Sequence, residues 1–350
     1  MNTWKNNIRM VVPYVPGEQP KKAGVVKLNT NENPYPPAPG VKAALENFNT
    51  DSLRLYPDPD TKDLAEALAV YYELKYENVF VGVGSDDVLA TAFMTFFNSK
   101  TPILFPDVSY SFYSVWAELF RIPYERPALD SEFKMNPKDY YRENGGIIFP
   151  NPNAPTSVCE PLDLIRDILD HNRDVVVIVD EAYIDFGGES AVPLIQEYDN
   201  LLVVQTFSKS RSMAGIRIGY AMGNRELIDA MKNVKFSFNS YTMNRFALDI
   251  GIEALKDKQY FEDNLAKIIS TREEAVKELE KRGFTVLESK ANFLFAQHST
   301  HYAGDIFRFL KERNVYVRHF NLPRIDNYLR ITVGTEEQMK KLYEELDNYK

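Results

Sequence analysis

Between residues 61 and 245 the apolar positions of the chain fall into two alternating rhythms. Short runs without polar alternation are Val79-Phe80-Val81-Gly82-Val83, Pro102 to Phe105, Ile147 to Phe149, Val175 to Val179 and Leu201 to Gln205. Such runs predict strands buried on both faces of a mainly parallel sheet. Between them, apolar residues recur every three to four positions and predict helices: Thr61 to Leu74, Val88 to Phe97 (opened by Ser85-Asp86), Tyr110 to Phe120 and Leu162 to Leu169. In the first of these Leu64, Ala67, Leu68 and Tyr71 share a face, and Thr61 is placed to cap it. This alternation predicts a doubly wound α/β domain.

After residue 245 the rhythm changes. Phe246 to about Arg282 is almost wholly helical in composition, with no proline and one early glycine. Beyond it the pattern predicts strands at Phe284 to Leu287, Phe293 to Ala296, Val315 to Arg318 and Tyr328 to Val333, with helices at Gly304 to Arg313 and Glu336 to Tyr349. That is a smaller α+β unit. The first 40 residues are irregular, and the prolines of Asn29-Thr30-Asn31-Glu32-Asn33-Pro34-Tyr35-Pro36-Pro37 exclude helix or central strand. Trp4, Tyr14 and Tyr35 are costly to leave in water, so this arm is expected to pack on something. The division is an arm over 1–45, a large α/β domain over 46–245, and a small α+β domain with its linking helix over 246–350.

Bulk properties narrow the function classes. A chain of 350 residues with 44% hydrophobic and 26% charged residues suits a soluble globular protein of more than one core. Its net charge of −9 argues against a broad nucleic-acid surface, so any phosphate binding must be local. The single cysteine, Cys159, can form no intrachain disulfide and fits a reducing compartment. No apolar run approaches the ~20 residues that span a bilayer, and the first residues lack the apolar core of a signal peptide. The expected location is the cytoplasm, without membrane, nucleic-acid or metal partners.

Chemistry gathers at the strand ends. Val175 to Val179 runs into Asp180-Glu181-Ala182-Tyr183, and Val203-Val204-Gln205-Thr206 runs into Phe207-Ser208-Lys209. Arg217 follows in Ala214-Gly215-Ile216-Arg217-Ile218-Gly219-Tyr220. In open α/β sheets ligands bind beyond the carboxyl ends of strands. Taken singly, each residue has an ordinary reading: a capping carboxylate, a core tyrosine, a solvated lysine. Together they are the set needed to hold pyridoxal phosphate (PLP): Lys209 for a Schiff base, Asp180 for the pyridine nitrogen, Tyr183 for the ring oxygen, Ser208 and Arg217 for the phosphate. Gly84-Ser85-Asp86 opens a helix whose free N–H groups suit an anion. Tyr110 could stack on the ring, and Asn151-Pro152-Asn153-Ala154-Pro155-Thr156 could fix an asparagine at the ring oxygen.

These motifs, in this order over nearly the whole chain, resemble the histidinol-phosphate aminotransferase family of fold type I PLP-dependent aminotransferases. Leu28 to Tyr35, Tyr56-Pro57-Asp58 and Leu329-Arg330-Ile331-Thr332-Val333-Gly334-Thr335 complete the match. The resemblance implies that Lys209 is the Schiff-base lysine and proton shuttle, with Asp180 and Tyr183 on the ring and Tyr110 stacked over it. It implies that Ser85, Asp86, Ser208 and Arg217 hold the phosphate, reached also by Tyr56 of a neighbouring subunit, and hence a homodimer. Arg330 would bind the substrate's acidic end, helped by Arg318 and by Tyr14 of the partner's arm, with Asn33 lining the pocket. The implied reaction is transamination between L-histidinol phosphate and 2-oxoglutarate. The chain departs from the family pattern at Ala154 (usually a second asparagine), Ser157 (usually glycine) and Pro36-Pro37 after Tyr35 (usually glycine). Asn153 or Tyr183 alone would then meet the ring oxygen. A threonine-phosphate decarboxylase-like lyase and an aromatic or broad-specificity aminotransferase share most of these motifs; product analysis and substrate comparison separate them. A PLP-binding regulatory protein ranks low, since no spare basic module is present.

Overall fold

A computed structural model describes residues 3–349; the first two residues of the expected arm and the last residue of the chain lie outside it. Thirteen strands among the described residues form three sheets. β1 (Val26–Lys27) pairs in parallel with β11 (Val315–Tyr316). The large sheet holds β2 (Val79–Gly82), β3 (Ile103–Leu104), β4 (Tyr124–Glu125), β5 (Ile147–Pro150), β6 (Val177–Asp180), β7 (Leu201–Thr206) and β8 (Gly219–Gly223). Its spatial order is β2-β8-β7-β6-β5-β3-β4, and only β8 runs against the rest. The small antiparallel sheet joins β9 (Phe284–Val286), β10 (Phe293–His298), β12 (Arg318–His319) and β13 (Leu329–Thr332) in the order β12-β13-β10-β9.

Ten helices are described: α1 (Pro39–Glu46), α2 (Lys62–Tyr71), α3 (Ser85–Phe96), α4 (Phe112–Phe120), α5 (Leu162–Asp170), α6 (Arg225–Phe238), α7 (Arg245–Lys256), α8 (Lys258–Lys281), α9 (Ala303–Glu312) and α10 (Glu336–Asp347). None is long and apolar enough to cross a membrane.

The large sheet is covered on both faces, as its unbroken apolar runs require. Alternate residues of a strand point to opposite sides. Ile147, Phe149, Val177, Val179, Leu201 and Val203 join one core with Leu64 and Leu68 of α2 and Ile165 and Ile168 of α5. Their neighbours Ile148, Ile178, Leu202 and Val204 join a second core with Val88, Leu89 and Phe93 of α3 and Tyr113 and Trp116 of α4. A third core, around Leu28, Leu279, Leu294, Ile306, Ile331 and Leu342, lies behind the small sheet.

Several local features depart from the sequence reading. Thr61 does not cap α2; its backbone is left-handed (φ 52°) and its hydroxyl bonds to the Asp60 carbonyl. Asp58 takes the capping role, with Oδ2 accepting from the Lys62 N–H at 2.7 Å. The helical stretch after 245 breaks at Asp257, which ends α7 and accepts from the Tyr260 N–H to start α8. The expected strand Val315 to Arg318 divides, because the chain leaves β1 as partner and joins β13. Trp4 stands 60% exposed, so the early arm does not bury it, whereas Tyr14 stacks on Phe112 with ring centres 4.2 Å apart.

Arg272 of α8 ties the two sheet systems together. Its buried guanidinium donates to the carbonyls of Phe186, just past β6, at 2.7 Å and of Ala291, just before β10, at 3.0 Å. Arg272→Ala leaves two carbonyls without their charged donor and is expected to cost about 2–4 kcal/mol. In thermal unfolding at fixed buffer and ligand this reads as a drop of roughly 3–8 °C. An unchanged melting temperature would show that the tie carries no stability.

Candidate active site

The site begins where β6 ends. Pro150, Asp180 and Val204 lie side by side across β5, β6 and β7, so their strands finish on one edge of the sheet. Asp180 is buried, 4% exposed. Its Oδ2 accepts from the Tyr113 hydroxyl at 2.8 Å and its Oδ1 from the Ala182 N–H at 3.3 Å. Burial pushes this carboxyl up to about 6, against the opposing pull of those two bonds. Tyr113 was invisible to the sequence reading, since its spacing from Tyr110 marks only a helical aromatic face.

Tyr183 and Lys209 face each other. The lysine Nζ lies 5.7 Å from the centre of the tyrosine ring and donates to the Thr30 carbonyl at 3.3 Å. The Tyr183 ring packs edge-on against Phe293, and its oxygen accepts from Asn31 Nδ2 at 2.9 Å. The arm segment 29–33 therefore runs across the site rather than hanging free. Asn33 is tied into that scaffold. Its Nδ2 donates to the carbonyls of Lys209 (3.0 Å) and Ser210 (3.1 Å), while its Oδ1 accepts from the Tyr35 N–H at 3.0 Å. Both amide hydrogens of that side chain are engaged, and its oxygen keeps one lone pair free.

An anion cradle adjoins these residues. α3 starts at Ser85 with Gly84 before it, and no side chain caps its first N–H groups. Gly84 has φ +84°, and a Cβ there would lie 2.4 Å from Arg217 Nη2. A Cβ on Gly219 would meet the Ser85 nitrogen at 2.2 Å, so that glycine is needed for β8 to pack against the helix start, while at Gly84 the positive φ is what a side chain would strain. Arg217, itself left-handed at φ 64°, reaches Ser208 Oγ (3.4 Å) and Asp86 Oδ2 (3.5 Å). Asp86 Oδ1 accepts from the Tyr110 hydroxyl at 2.8 Å. Burial, and then that carboxylate, hold the Tyr110 phenol well above its ordinary range, so it stays a donor.

The small sheet supplies two cations. Arg318 of β12 sits directly opposite Arg330 of β13. Like charges in that register repel unless an anion lies between or beside them. Arg330 Nη2 donates to the Asn29 carbonyl at 3.0 Å, and its Nε is buried without a hydrogen-bond partner among the described residues. Burial pulls the guanidinium below its usual range, with Arg318 adding to that and Tyr183 opposing it; an arginine remains charged regardless. Tyr14 of the same chain is near enough to influence both Arg330 and Tyr110.

Asn153 needs a correction. Its Nδ2 donates to the Val108 carbonyl (2.9 Å) and to Thr156 Oγ1 (2.8 Å), leaving a buried Oδ1 with no hydrogen-bond partner among the described residues. It can offer the site only an acceptor, which does not suit an electron-rich ring oxygen. Tyr56 stands 79% exposed against Tyr241, and no hydrogen bond joins its side chain to the chain's own site residues among those described.

A family model for aminotransferase class I and II matches residues 23–346. Histidinol-phosphate aminotransferase 1 of Hydrogenovibrio crunogenus is 54% identical over 339 residues, covering 97% of this chain and 95% of its own. The chain belongs to the histidinol-phosphate aminotransferase family. Histidinol-phosphate aminotransferase of Clostridium botulinum (strain Kyoto / Type A2) is 52% identical, covering 96% of this chain and 95% of its own. Among solved structures, the Sinorhizobium meliloti histidinol-phosphate aminotransferase in complex with pyridoxal 5′-phosphate superposes with a TM-score of 0.84 at 22% identity, covering 92% of this chain and 90% of its own. An L-threonine-O-3-phosphate decarboxylase from Porphyromonas gingivalis superposes at 0.79 with 20% identity, covering 92% and 98%. These structural likenesses establish fold type I for this aminotransferase and do not discriminate between reactions.

The aminotransferase's own residues fit PLP. The uncapped α3 start with Arg217 and Ser208 suits a dianionic phosphate, buried Asp180 suits a ring cation, and Lys209 presents an amine between them.

Proposed function

We propose that the enzyme transfers an amino group between L-histidinol phosphate and 2-oxoglutarate, with PLP as cofactor. The observation that carries the substrate reading is the cross-strand pair Arg318 and Arg330, the latter with an Nε that has no hydrogen-bond partner among the described residues. Two adjacent guanidinium groups can grip either a phosphate or a carboxylate, so one pocket can serve both partners in turn.

PLP, when bound, supplies an electron sink that stabilises negative charge at the substrate α-carbon. The protein's residues do the rest. Lys209 would hold the cofactor through its amine, and that amine would carry the substrate's α-proton. The Asp180 carboxylate, oriented by Tyr113, keeps positive charge on the ring nitrogen. Tyr183 would donate to the ring oxygen, since the amide hydrogens of Asn153 go to Val108 and Thr156. Ser85 and Asp86, through the N–H groups of the α3 start, would hold the phosphate with Ser208 and Arg217, and Tyr110 would lie against the ring. Arg330 and Arg318, with Tyr14 beside them, orient the substrate's anionic end.

A homodimer belongs to this reading. Leu53 (62% exposed), Tyr56 (79%) and Phe238 (72%) give the surface apolar groups that a second copy would cover, and Tyr56 would reach the partner's phosphate. A cytoplasmic location completes it.

The deciding experiment is a donor screen on purified protein, following PLP absorbance, with histidinol phosphate, phenylalanine and phosphothreonine. The reading expects amino transfer from histidinol phosphate with the highest kcat/KM. Carbon dioxide release from phosphothreonine would replace it with a lyase. In the same assay Arg330→Met should raise KM for histidinol phosphate and for 2-oxoglutarate together, each by about 10²-fold. A rise for one substrate alone would mean that the two anions do not share the arginine.

A further inference from the structure

We propose that Asn31 is a positioning residue: its side-chain amide holds the Tyr183 oxygen so that the phenol hydrogen points into the site. The inference rests on the functional reading above and adds a residue to it.

Asn31 is 1% exposed and takes a left-handed backbone, φ 56°, which asparagine tolerates better than most side chains. Four hydrogen bonds fix it. Its N–H donates to Thr332 Oγ1 at 3.0 Å, and the Thr332 hydroxyl returns a bond to Asn31 Oδ1 at 3.1 Å. Its carbonyl accepts from Asn292 Nδ2 at 3.0 Å. One hydrogen of its side-chain amide goes to the Tyr183 oxygen at 2.9 Å.

The direction of each bond follows from counting hydrogens. Thr332 is buried, and its hydroxyl hydrogen has no acceptor other than Asn31 Oδ1 among the described bonds. Turning the amide over would leave that hydrogen unmatched, at the cost of burying an unmet donor. The amide therefore shows its NH₂ to Tyr183. A phenol oxygen that already accepts one hydrogen bond keeps its own hydrogen for another acceptor. Ala154 and Phe293, which pack near the Tyr183 ring, have no polar group that could compete for it. The titratable groups near this tyrosine are Lys209, 5.7 Å from its ring centre, Arg330, and the phenols of Tyr110 and Tyr113, which already donate to Asp86 and Asp180. Neither cation accepts a hydrogen bond, so neither draws the phenol hydrogen out of the site.

The test uses PLP-loaded enzyme carrying Asn31→Gly, which removes the amide without backbone strain, and Asn31→Asp, which keeps the shape but accepts from both hydroxyls. A donor on the ring oxygen draws charge from the cofactor and lowers the pH midpoint of the visible band of the lysine-linked cofactor. Asn31→Gly should move that midpoint up by roughly half a unit to one unit and lower kcat/KM about 3- to 10-fold. Asn31→Asp should give the larger shift, because the phenol hydrogen is then drawn to the arm. In a Tyr183→Phe background Asn31→Gly should change kcat/KM less than about twofold, since its target is gone. An unmoved midpoint in both variants, or equal losses with and without the Tyr183 hydroxyl, would overturn the proposal. A wild-type protein that takes up no PLP and shows no visible band would overturn the functional reading and this inference together.

Discussion

A Lys209→Ala variant is expected to lose roughly 10⁴-fold or more of kcat/KM while still binding some cofactor. Two losses combine in this one change. The amine that would join the cofactor disappears, and so does the group that would carry the α-proton. The rest of the cradle stays, because Arg217, Ser208 and the α3 start do not depend on the lysine side chain. Retained non-covalent binding with abolished turnover is therefore the expected pattern, read by equilibrium dialysis beside a steady-state assay. Turnover near the wild-type rate would remove Lys209 from the chemistry.

Asp180→Ala should follow with a loss of about 10³-fold, the scale of removing one preorganised charge from a dry site. Its pH behaviour gives a sharper check. Burial raises this carboxyl to about 6 in the free protein, so it is ionised above that pH and protonated below it. Only the ionised form can pair with a ring cation. PLP affinity should therefore hold above pH 6 and weaken below it, by up to about tenfold per unit. Asp180→Asn should flatten that part of the profile. A Tyr113→Phe variant, which removes one bond that favours the ionised form, should move the break to higher pH. An identical profile in wild type and Asp180→Asn would separate this carboxylate from cofactor binding.

The parts of the fold that were readable in the sequence are those where one physical demand dominates. β5, β6 and β7 are buried on both faces, so apolar residues fill them until their carboxyl ends, where Asp180 in β6 and Gln205-Thr206 in β7 bring in polar groups. β8 escaped notice because Gly219-Tyr220-Ala221-Met222-Gly223 lacks the branched residues that mark a strand. Glycine is needed there for another reason, the close approach of the α3 start.

The site divides in the same way. Lys209, Asp180, Tyr183 and Arg217 could be named from strand-end chemistry. Which atoms meet could not. Asn33 and Asn153 were placed near the cofactor's surroundings, yet their amide hydrogens are engaged by backbone carbonyls and by Thr156. Asn31, two residues away in the same motif, holds the tyrosine instead. A motif gives proximity, whereas the direction of a hydrogen bond depends on backbone angles that a linear pattern does not carry. The opposition of Arg318 and Arg330 likewise exists only once the register of β12 on β13 is set.

The most direct measurement is to load the protein with PLP, reduce it with borohydride, and locate the cofactor-bearing residue by peptide mass. Lys209 should carry the whole adduct. An adduct on another lysine, or none on a protein that still transaminates, would contradict the account.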